Sequence, residues 1–181
     1  MKRDNIIELV ESILQECNIF HAPIPVVEIA EKYGFAVVEK FLKNDESGYM
    51  VLYNKGIELQ GERLSKIIVI NAAENPYRKR FTIAHELGHY FLEYKDKEND
   101  LIDDIIVHRD NNYDAINREK EKNADTFAGE LLMPTKMLEN ELAKLMHVDL
   151  LFSSIPEFIA RQFAVSYSAA KTRYDIFKGK K

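Results

Sequence analysis

The spacing of apolar residues predicts helices at both ends of the chain. An amphipathic helix is predicted over 5–17. A second helix over 26–33 should end at Gly34, because glycine readily adopts the left-handed conformation that follows many helices. The second half of the chain carries the same period, which predicts further helices over 118–132, 134–146, 155–163 and 167–177.

Three short runs of β-branched and aromatic residues interrupt this helical pattern. They cover 35–41, 49–53 and 66–70, and each is bounded by residues that favour turns. We expect them to pair as an antiparallel sheet, because the connections are too short to contain crossover helices.

The stretch from 76 to 117 changes from apolar to polar. Pro76 opens a predicted helix that reaches about Tyr94 and is apolar over much of its circumference, so we expect it in the core. The segment 95–117 is rich in aspartate and asparagine and predicts mostly a long loop around 101–107. These elements together predict an α+β fold with a small, mainly antiparallel sheet, a helical core and a C-terminal helical hairpin.

Length and composition favour one globular domain. The chain has 181 residues, which is enough for a sizeable core, and no repeat, low-complexity tract or linker divides it. We predict a single domain with N-terminal helices and sheet over 1–71, a helical core over 76–146 and a helical tail over 155–181. Apolar residues make up 46% and charged residues 30%, which argues against disorder.

The sequence also predicts the cellular location of the protein. Mean hydropathy is −0.32, and no stretch approaches the roughly 18 uncharged apolar residues that a membrane span needs. Acidic residues interrupt the first apolar run, so we expect no signal peptide. Cys17 is the single cysteine, so no internal disulfide forms, and a reducing, cytoplasmic location is predicted.

Charge is distributed unevenly along the chain. The net charge is −5, but residues 155–181 carry six basic and two acidic side chains, a net +4. The preceding 154 residues therefore carry −9, which argues against broad coating by nucleic acid. The basic tail leaves a local contact with DNA open.

The most specific chemical signal is an H-E-x-x-H motif inside the apolar helix, formed by His85, Glu86 and His89. Residues four apart share a helix face, so both imidazoles can bind one metal ion. Zinc accepts histidine nitrogen and carboxylate oxygen, and a hydrolytic site keeps one position for water. Glu86 lies about 100° around the helix from His85, where it can act as general base towards that water.

A second pair of side chains with the same spacing lies on the next predicted helix. Glu121 can complete a set of two histidines and one glutamate, and Asp125 can accept the N–H of a ligating histidine. Glu119 competes for the third position, but neighbouring apolar residues indicate that the Glu121 side of the helix is buried. The alternative is that the histidines belong to an ordinary core and the carboxylates to a solvated face. The cost of burying two histidines and a glutamate without partners favours a metal.

Two segments resemble the ImmA/IrrE family of metallopeptidases: R-F-T-I-A-H-E-L-G-H-Y, residues 80–90, and E-K-N-A-D-T-F-A-G-E-L-L-M-P, residues 121–134. Residues 25–34 and 159–166 extend the resemblance over most of the chain. The resemblance implies a small zincin-type endopeptidase that holds one Zn²⁺ in a thermolysin-like site. It also implies a protein substrate, a helix-turn-helix repressor of the XRE or Cro/CI type.

Carried onto this chain, the family roles make His85, His89 and Glu121 the metal ligands and Glu86 the general base. Many members have asparagine where this chain has Asp125, and aspartate is the thermolysin-like choice for a residue that supports a ligand. We therefore expect Asp125 to orient a ligand without binding the metal. The segment 130–134 is interpreted as an apolar helix end stopped by proline, in preference to a functional turn beneath the metal.

Peptide hydrolysis also needs a donor for the developing oxyanion and a place for the substrate. Candidate donors are His108, Arg109 and Tyr113 in the polar segment and Tyr90 beside the motif. An extended peptide can add to an exposed sheet edge, and the strand over 66–70 is the expected edge.

The tail supports a second hypothesis about the function of the protein. Residues 158–173 have the pattern of a helix-turn-helix, with small Ala164 at the turn and basic side chains that include Lys171 and Arg173. The second hypothesis is therefore a module that binds DNA or a repressor, with a mainly structural metal and no proteolysis. The family resemblance favours a helical hairpin that packs on the protease or contacts its substrate.

Overall fold

The computed structural model describes residues 2–43, 46–59, 61–100, 103–108, 115–145 and 155–179. The chain divides into two compact units. The sheet unit comprises Pro25–Ala128, and the helical unit comprises Met1–Ile24 together with Gly129–Lys181. The mixture of helices and a small sheet confirms the predicted α+β class.

The sheet unit contains four described strands: β1 (Phe35–Lys40), β2 (Gly48–Leu59), β3 (Glu62–Asn71) and β4 (Ile105–His108). They lie in the order β1-β3-β2-β4. Strand β2 is antiparallel to both of its neighbours, whereas β1 and β3 are parallel. The sheet is therefore mixed, and the prediction of antiparallel pairing was wrong for β1. A parallel pair needs no crossover helix here, because β2 follows β1 in the chain, runs in the opposite direction and returns the chain to the end of the sheet where β3 begins.

Strand β3 lies inside the sheet, between β1 and β2. Its residues from Ile67 to Ile70 are all buried, as expected for a strand covered on both faces. The expectation that residues 66–70 form an exposed edge was therefore wrong. One outer strand is β4, which lies in the segment that the sequence predicted mostly as loop.

Helices of the sheet unit are α2 (Val26–Lys32), α3 (Pro76–His89) and most of α4 (Ala115–Leu132). Gly34 follows α2 with a φ of +82°, which agrees with its predicted role at the helix end. Helix α3 packs on β3 and β2. A π-helical turn, Tyr90–Tyr94, continues α3 up to the residue where the sequence placed the helix end.

The helical unit contains α1 (Arg3–Glu16), the last turn of α4, α5 (Thr135–Leu145), α6 (Ile155–Phe163) and α7 (Tyr167–Lys178). Helices α6 and α7 form the predicted hairpin, with Ala164 at a φ of +51° in the turn. Within the described parts of the chain, no helix is both long and apolar enough to cross a membrane.

A buried ion pair joins α4 to α7 within the helical unit. Glu130 and Arg173 are 2% and 4% exposed, and Arg173 Nη2 lies 2.8 Å from Glu130 Oε2. The other Glu130 oxygen accepts a hydrogen bond from the Thr135 backbone N–H at 2.7 Å, across Pro134. The segment 130–134 is thus a helix end stopped by proline, as interpreted from sequence. The buried Glu130 carboxylate stabilises it, and its burial was not predicted from sequence.

The same ion pair bears on the tail as a DNA-binding element. Arg173 is buried and therefore does not present its charge on the surface. Lys171 pairs with Asp175 at 3.2 Å, and Arg161 pairs with Glu157 at 2.6 Å. These pairings weaken the DNA-binding interpretation of residues 155–181; Lys180 and Lys181 lie outside the described residues.

Candidate metal centre

Helix α3 places the H-E-x-x-H motif in the interior of the sheet unit. Asn75 caps the helix, its side chain accepting a hydrogen bond from the Arg78 backbone N–H at 3.0 Å, and Pro76 follows at the first helical position. The helix then runs without a break to the motif, where His85, Glu86 and His89 are 3%, 2% and 4% exposed.

Helices α3 and α4 approach each other closely at Gly88. A Cβ atom at this position would lie 3.1 Å from both Cα and the carbonyl oxygen of Ala124, closer than most Cβ contacts. A glycine on α3 and an alanine on α4 therefore permit the two helices to touch. Ala124 lies three residues after Glu121, so the contact holds the Glu121 carboxylate opposite the histidines.

Three side-chain donors meet at one point between these helices. His85 Nε2 lies 3.1 Å from His89 Nε2. The two Glu121 oxygens lie 3.3 Å from His85 Nε2 and 3.2 Å from His89 Nε2. One ligand atom from each of the three residues lies within 4.8 Å of the other two, so the group can hold a metal ion.

The donor set fits zinc in both chemistry and spacing. Two imidazole nitrogens and one carboxylate oxygen are the ligands of a catalytic zinc that keeps its fourth position for water. A tetrahedron with bonds of about 2.0 Å has edges of about 3.3 Å. The His85 Nε2–His89 Nε2 separation of 3.1 Å agrees with one edge of such a tetrahedron. Each nitrogen has one of the two Glu121 oxygens at 3.2 to 3.3 Å, so the Glu121 carboxylate can supply the third ligand.

A carboxylate supports the outer nitrogen of each histidine. His85 Nδ1 lies 2.9 Å from Asp125 Oδ1, in the position that the sequence predicted for Asp125. His89 Nδ1 lies 2.8 Å from Glu93 Oε1, a contact that the sequence analysis missed. The Nδ1–H groups donate to these oxygens, which leaves both Nε2 atoms facing Glu121.

The electrostatics of the site follow from these contacts. Burial lowers the pKa of His89, but hydrogen bonds to Glu121 and Glu93 outweigh it and raise the pKa to about 9. Burial likewise lowers the pKa of His85, but the hydrogen bonds that it donates to Asp125 and Glu121 outweigh this effect, and the net result raises its pKa. Burial would raise the pKa of Glu121, but the two imidazoles hold it below its usual range.

The predicted oxyanion donors have different positions. Tyr90 is 2% exposed, accepts a hydrogen bond from Lys66 Nζ at 3.3 Å and packs edge-on against the Phe35 ring. This packing role does not support contact with a substrate. His108 is the last residue of β4, and Arg109 and Tyr113 lie outside the described residues.

Glu119, the competing third ligand, is exposed on α4, as the burial argument from sequence expected. Among the described residues it does not belong to the group of donors that can hold a metal.

A helix with an H-E-x-x-H motif that faces a carboxylate on a second helix defines a metallopeptidase-type centre. A family model agrees: Peptidase M78, described as the IrrE N-terminal-like domain, matches residues 30–175. The match covers most of the 181 residues, so the chain belongs to this family, and the resemblance to ImmA/IrrE metallopeptidases is confirmed.

The matches to individual relatives cover less than half of each relative's own length. Metallopeptidase ImmA of Bacillus subtilis (strain 168) is 33% identical over 84 residues, which are 46% of this chain and 45% of that protein. The alignment thus spans less than half of this relative's length. A solved structure, a Mycobacterium tuberculosis transcriptional regulator, matches with a TM-score of 0.58 and 15% identity, over 92% of this chain and 45% of that one. At this identity the likeness concerns the fold alone.

Proposed function

We propose that the protein is a zinc-dependent endopeptidase with His85, His89 and Glu121 as ligands and Glu86 as general base. The observation that carries the proposal is the meeting of the His85, His89 and Glu121 donors within 4.8 Å of one another, beside a buried glutamate on the helix that bears the histidines. The family supports a metal-dependent peptidase. The choice of zinc and of internal peptide bonds rests on the donor chemistry and on the resemblance.

The residues have distinct tasks in this scheme. Bound zinc supplies Lewis acidity, which acidifies water and polarises the carbonyl of the scissile bond. The Glu86 carboxylate takes a proton from the attacking water and delivers it to the leaving nitrogen. Asp125 accepts the Nδ1–H of His85 and so fixes the tautomer and orientation of this ring.

The substrate is proposed to be a helix-turn-helix repressor, as the resemblance implies, and the outer strand β4 can receive it. Within the described residues β4 pairs with β2 on one side, so its other side can accept an added strand. Gly48 of β2 lies against Thr82 of α3, one turn before the motif, and Tyr49 pairs with His108. The His108 end of β4 is therefore one strand away from the place where the sheet contacts the metal-bearing helix.

The test is a cleavage assay with purified candidate repressors, starting with one encoded beside this protein. Zinc-loaded wild type should cut the repressor at a defined bond, and the Glu86→Gln variant should lose about 100-fold or more of the rate. Both proteins must bind the same amount of zinc, which elemental analysis checks. Equal cleavage by wild type and variant would overturn the assignment of Glu86.

Two other outcomes would favour the second hypothesis. If the protein binds repressor tightly at equal zinc content but never cuts it, a regulatory binding module replaces the peptidase. If it binds DNA in a gel shift at low salt and loses the complex as salt rises, the tail contacts DNA despite its internal ion pairs. We expect neither result.

A further inference from the structure

The support of His89 is a part of the site that the sequence alone did not assign. Glu93 Oε1 lies 2.8 Å from His89 Nδ1, as close as Asp125 lies to His85. The side chain of Glu93 is 15% exposed, whereas that of Asp125 is 47% exposed. Of the two carboxylates behind the histidines, Glu93 is therefore the better shielded from water.

The backbone around Glu93 is unusual as well. The α-helical register of α3 ends at His89, and Tyr90–Tyr94 form a π-helical turn. Such turns are rare and occur frequently at functional sites. Glu93 thus sits on a distorted turn that starts immediately after a proposed ligand.

Glu93 also reaches the second helix of the site. Its other oxygen, Oε2, lies 2.7 Å from Nζ of Lys120, the residue just before Glu121 on α4. A single carboxylate therefore contacts one proposed ligand directly and a neighbour of another. Because Lys120 is 45% exposed, water screens this ion pair, and its contribution should be small.

We infer that Glu93 is a positioning residue that fixes the tautomer and ring orientation of His89 for the metal. A neutral imidazole carries one N–H, and ligation requires that the nitrogen facing the metal has none. By accepting the Nδ1–H, Glu93 keeps the Nε2 lone pair directed at the point where His85 and Glu121 converge. The inference rests on the proposed metal site. It adds Glu93, on the π-helical turn, to Asp125 on α4 as a carboxylate that orients a ligating histidine.

The experiment measures metal affinity and the spectrum of bound Co²⁺, and needs no substrate. Chelator competition gives the Zn²⁺ affinity of wild type and of the variants Glu93→Ala, Glu93→Gln, Lys120→Met and His89→Ala. The visible absorption of the Co²⁺-loaded proteins reports the ligand geometry, which a purely structural role of Glu93 would leave unchanged. Far-UV circular dichroism checks that each variant is folded.

Glu93→Ala should weaken Zn²⁺ binding by about 10- to 100-fold, the usual effect of losing a hydrogen-bond partner behind a ligand, and should shift the Co²⁺ bands. Glu93→Gln keeps an oxygen that can accept the Nδ1–H, so its loss should stay below about tenfold. Lys120→Met should remain within about threefold of wild type, because its ion pair is exposed.

The inference is overturned if Glu93→Ala keeps both affinity and spectrum while His89→Ala loses the metal. It is also overturned if Lys120→Met costs as much as Glu93→Ala, because Glu93 would then act by tethering the helices. If Glu93→Ala fails to fold, Glu93→Met, which keeps the length of the side chain but has no oxygen to accept the Nδ1–H, is measured in its place. An affinity and a spectrum equal to those of wild type would then count against the inference. A wild type that binds no Zn²⁺, or a His89→Ala variant that binds it normally, would instead remove the proposed metal site itself and the inference with it.

Discussion

Replacement of Gly88 by alanine tests the packing that brings together the two helices with the proposed metal ligands. Alanine is favoured over glycine inside a helix by about 1 kcal/mol, so the substitution by itself should stabilise the helix. Against this, the new Cβ would lie 3.1 Å from the Ala124 backbone and 3.2 Å from the Phe127 ring. Backbone atoms cannot move aside as a flexible side chain can, and overpacking of this kind costs about 1–3 kcal/mol.

Gly129 provides the matched control. It lies in α4, and apart from its chain neighbours and the backbone of its own helix no described atom is within 4 Å of the position that its Cβ would occupy. Gly129→Ala should therefore show the helical gain of about 1 kcal/mol without the overpacking cost. The free energies of unfolding of the two variants should differ by about 1–3 kcal/mol, with Gly88→Ala the less stable.

Urea denaturation of the metal-free proteins, followed by far-UV circular dichroism, measures this difference. Chelator competition then measures Zn²⁺ affinity, which Gly88→Ala should lower because it displaces Glu121 from the histidines by a few tenths of an ångström. Gly129→Ala should leave this affinity unchanged. If both variants gain the same stability and bind Zn²⁺ equally well, the helices do not depend on glycine for their approach, and the reasoning is refuted.

Two further predictions follow from the buried charges. Arg173→Met should destabilise the protein by about 3–5 kcal/mol in urea denaturation, because it leaves the buried Glu130 carboxylate without its main partner. The exposed pair of Arg161 and Glu157 supplies the control: Arg161→Met should cost less than about 1 kcal/mol, and equal losses would contradict the argument. Zn²⁺ uptake at pH 7 should release at least one proton, because the pKa of His89 is about 9 in the metal-free site and a ligating imidazole must be neutral. Affinity should rise about tenfold per pH unit up to pH 9, and calorimetry in buffers of different ionisation enthalpy that detects no proton release would contradict this.

The local part of the site could be predicted from sequence because helical geometry alone specifies it. His85 and His89 share a helix face whatever surrounds them, and the same applies to Glu121 and Asp125. Their meeting across two helices was a hypothesis that needed two such pairs. Glu93 carries the same signal, since it follows His89 by four residues, but a single charged residue at this spacing is typical of many exposed helix surfaces.

The sheet was less predictable because its order depends on contacts between distant segments. Connection lengths describe successive strands, and β1 and β3 are not successive, so their parallel pairing escaped that rule. Strand β4 has a local signal, three β-branched residues at 105–107, but the aspartate- and asparagine-rich surroundings outweighed it. Its pairing with β2 is what makes these four residues a strand.

The position of Glu121, the proposed third ligand, depends on helix packing as well as on its own chemistry. Glu121 belongs to the site only if α4 comes close enough to α3, and the distance between packed helices depends on the side chains at the contact. Gly88 stands between the histidines of the motif, and Ala124 stands between Glu121 and Asp125. The two smallest residues thus occupy the contact, one on each helix, and the polar side chains on either side of them converge. A larger residue at 88 or 124 would keep every proposed ligand in the sequence and still separate the donors, so the proposed metal centre depends on these small residues as well as on its ligands.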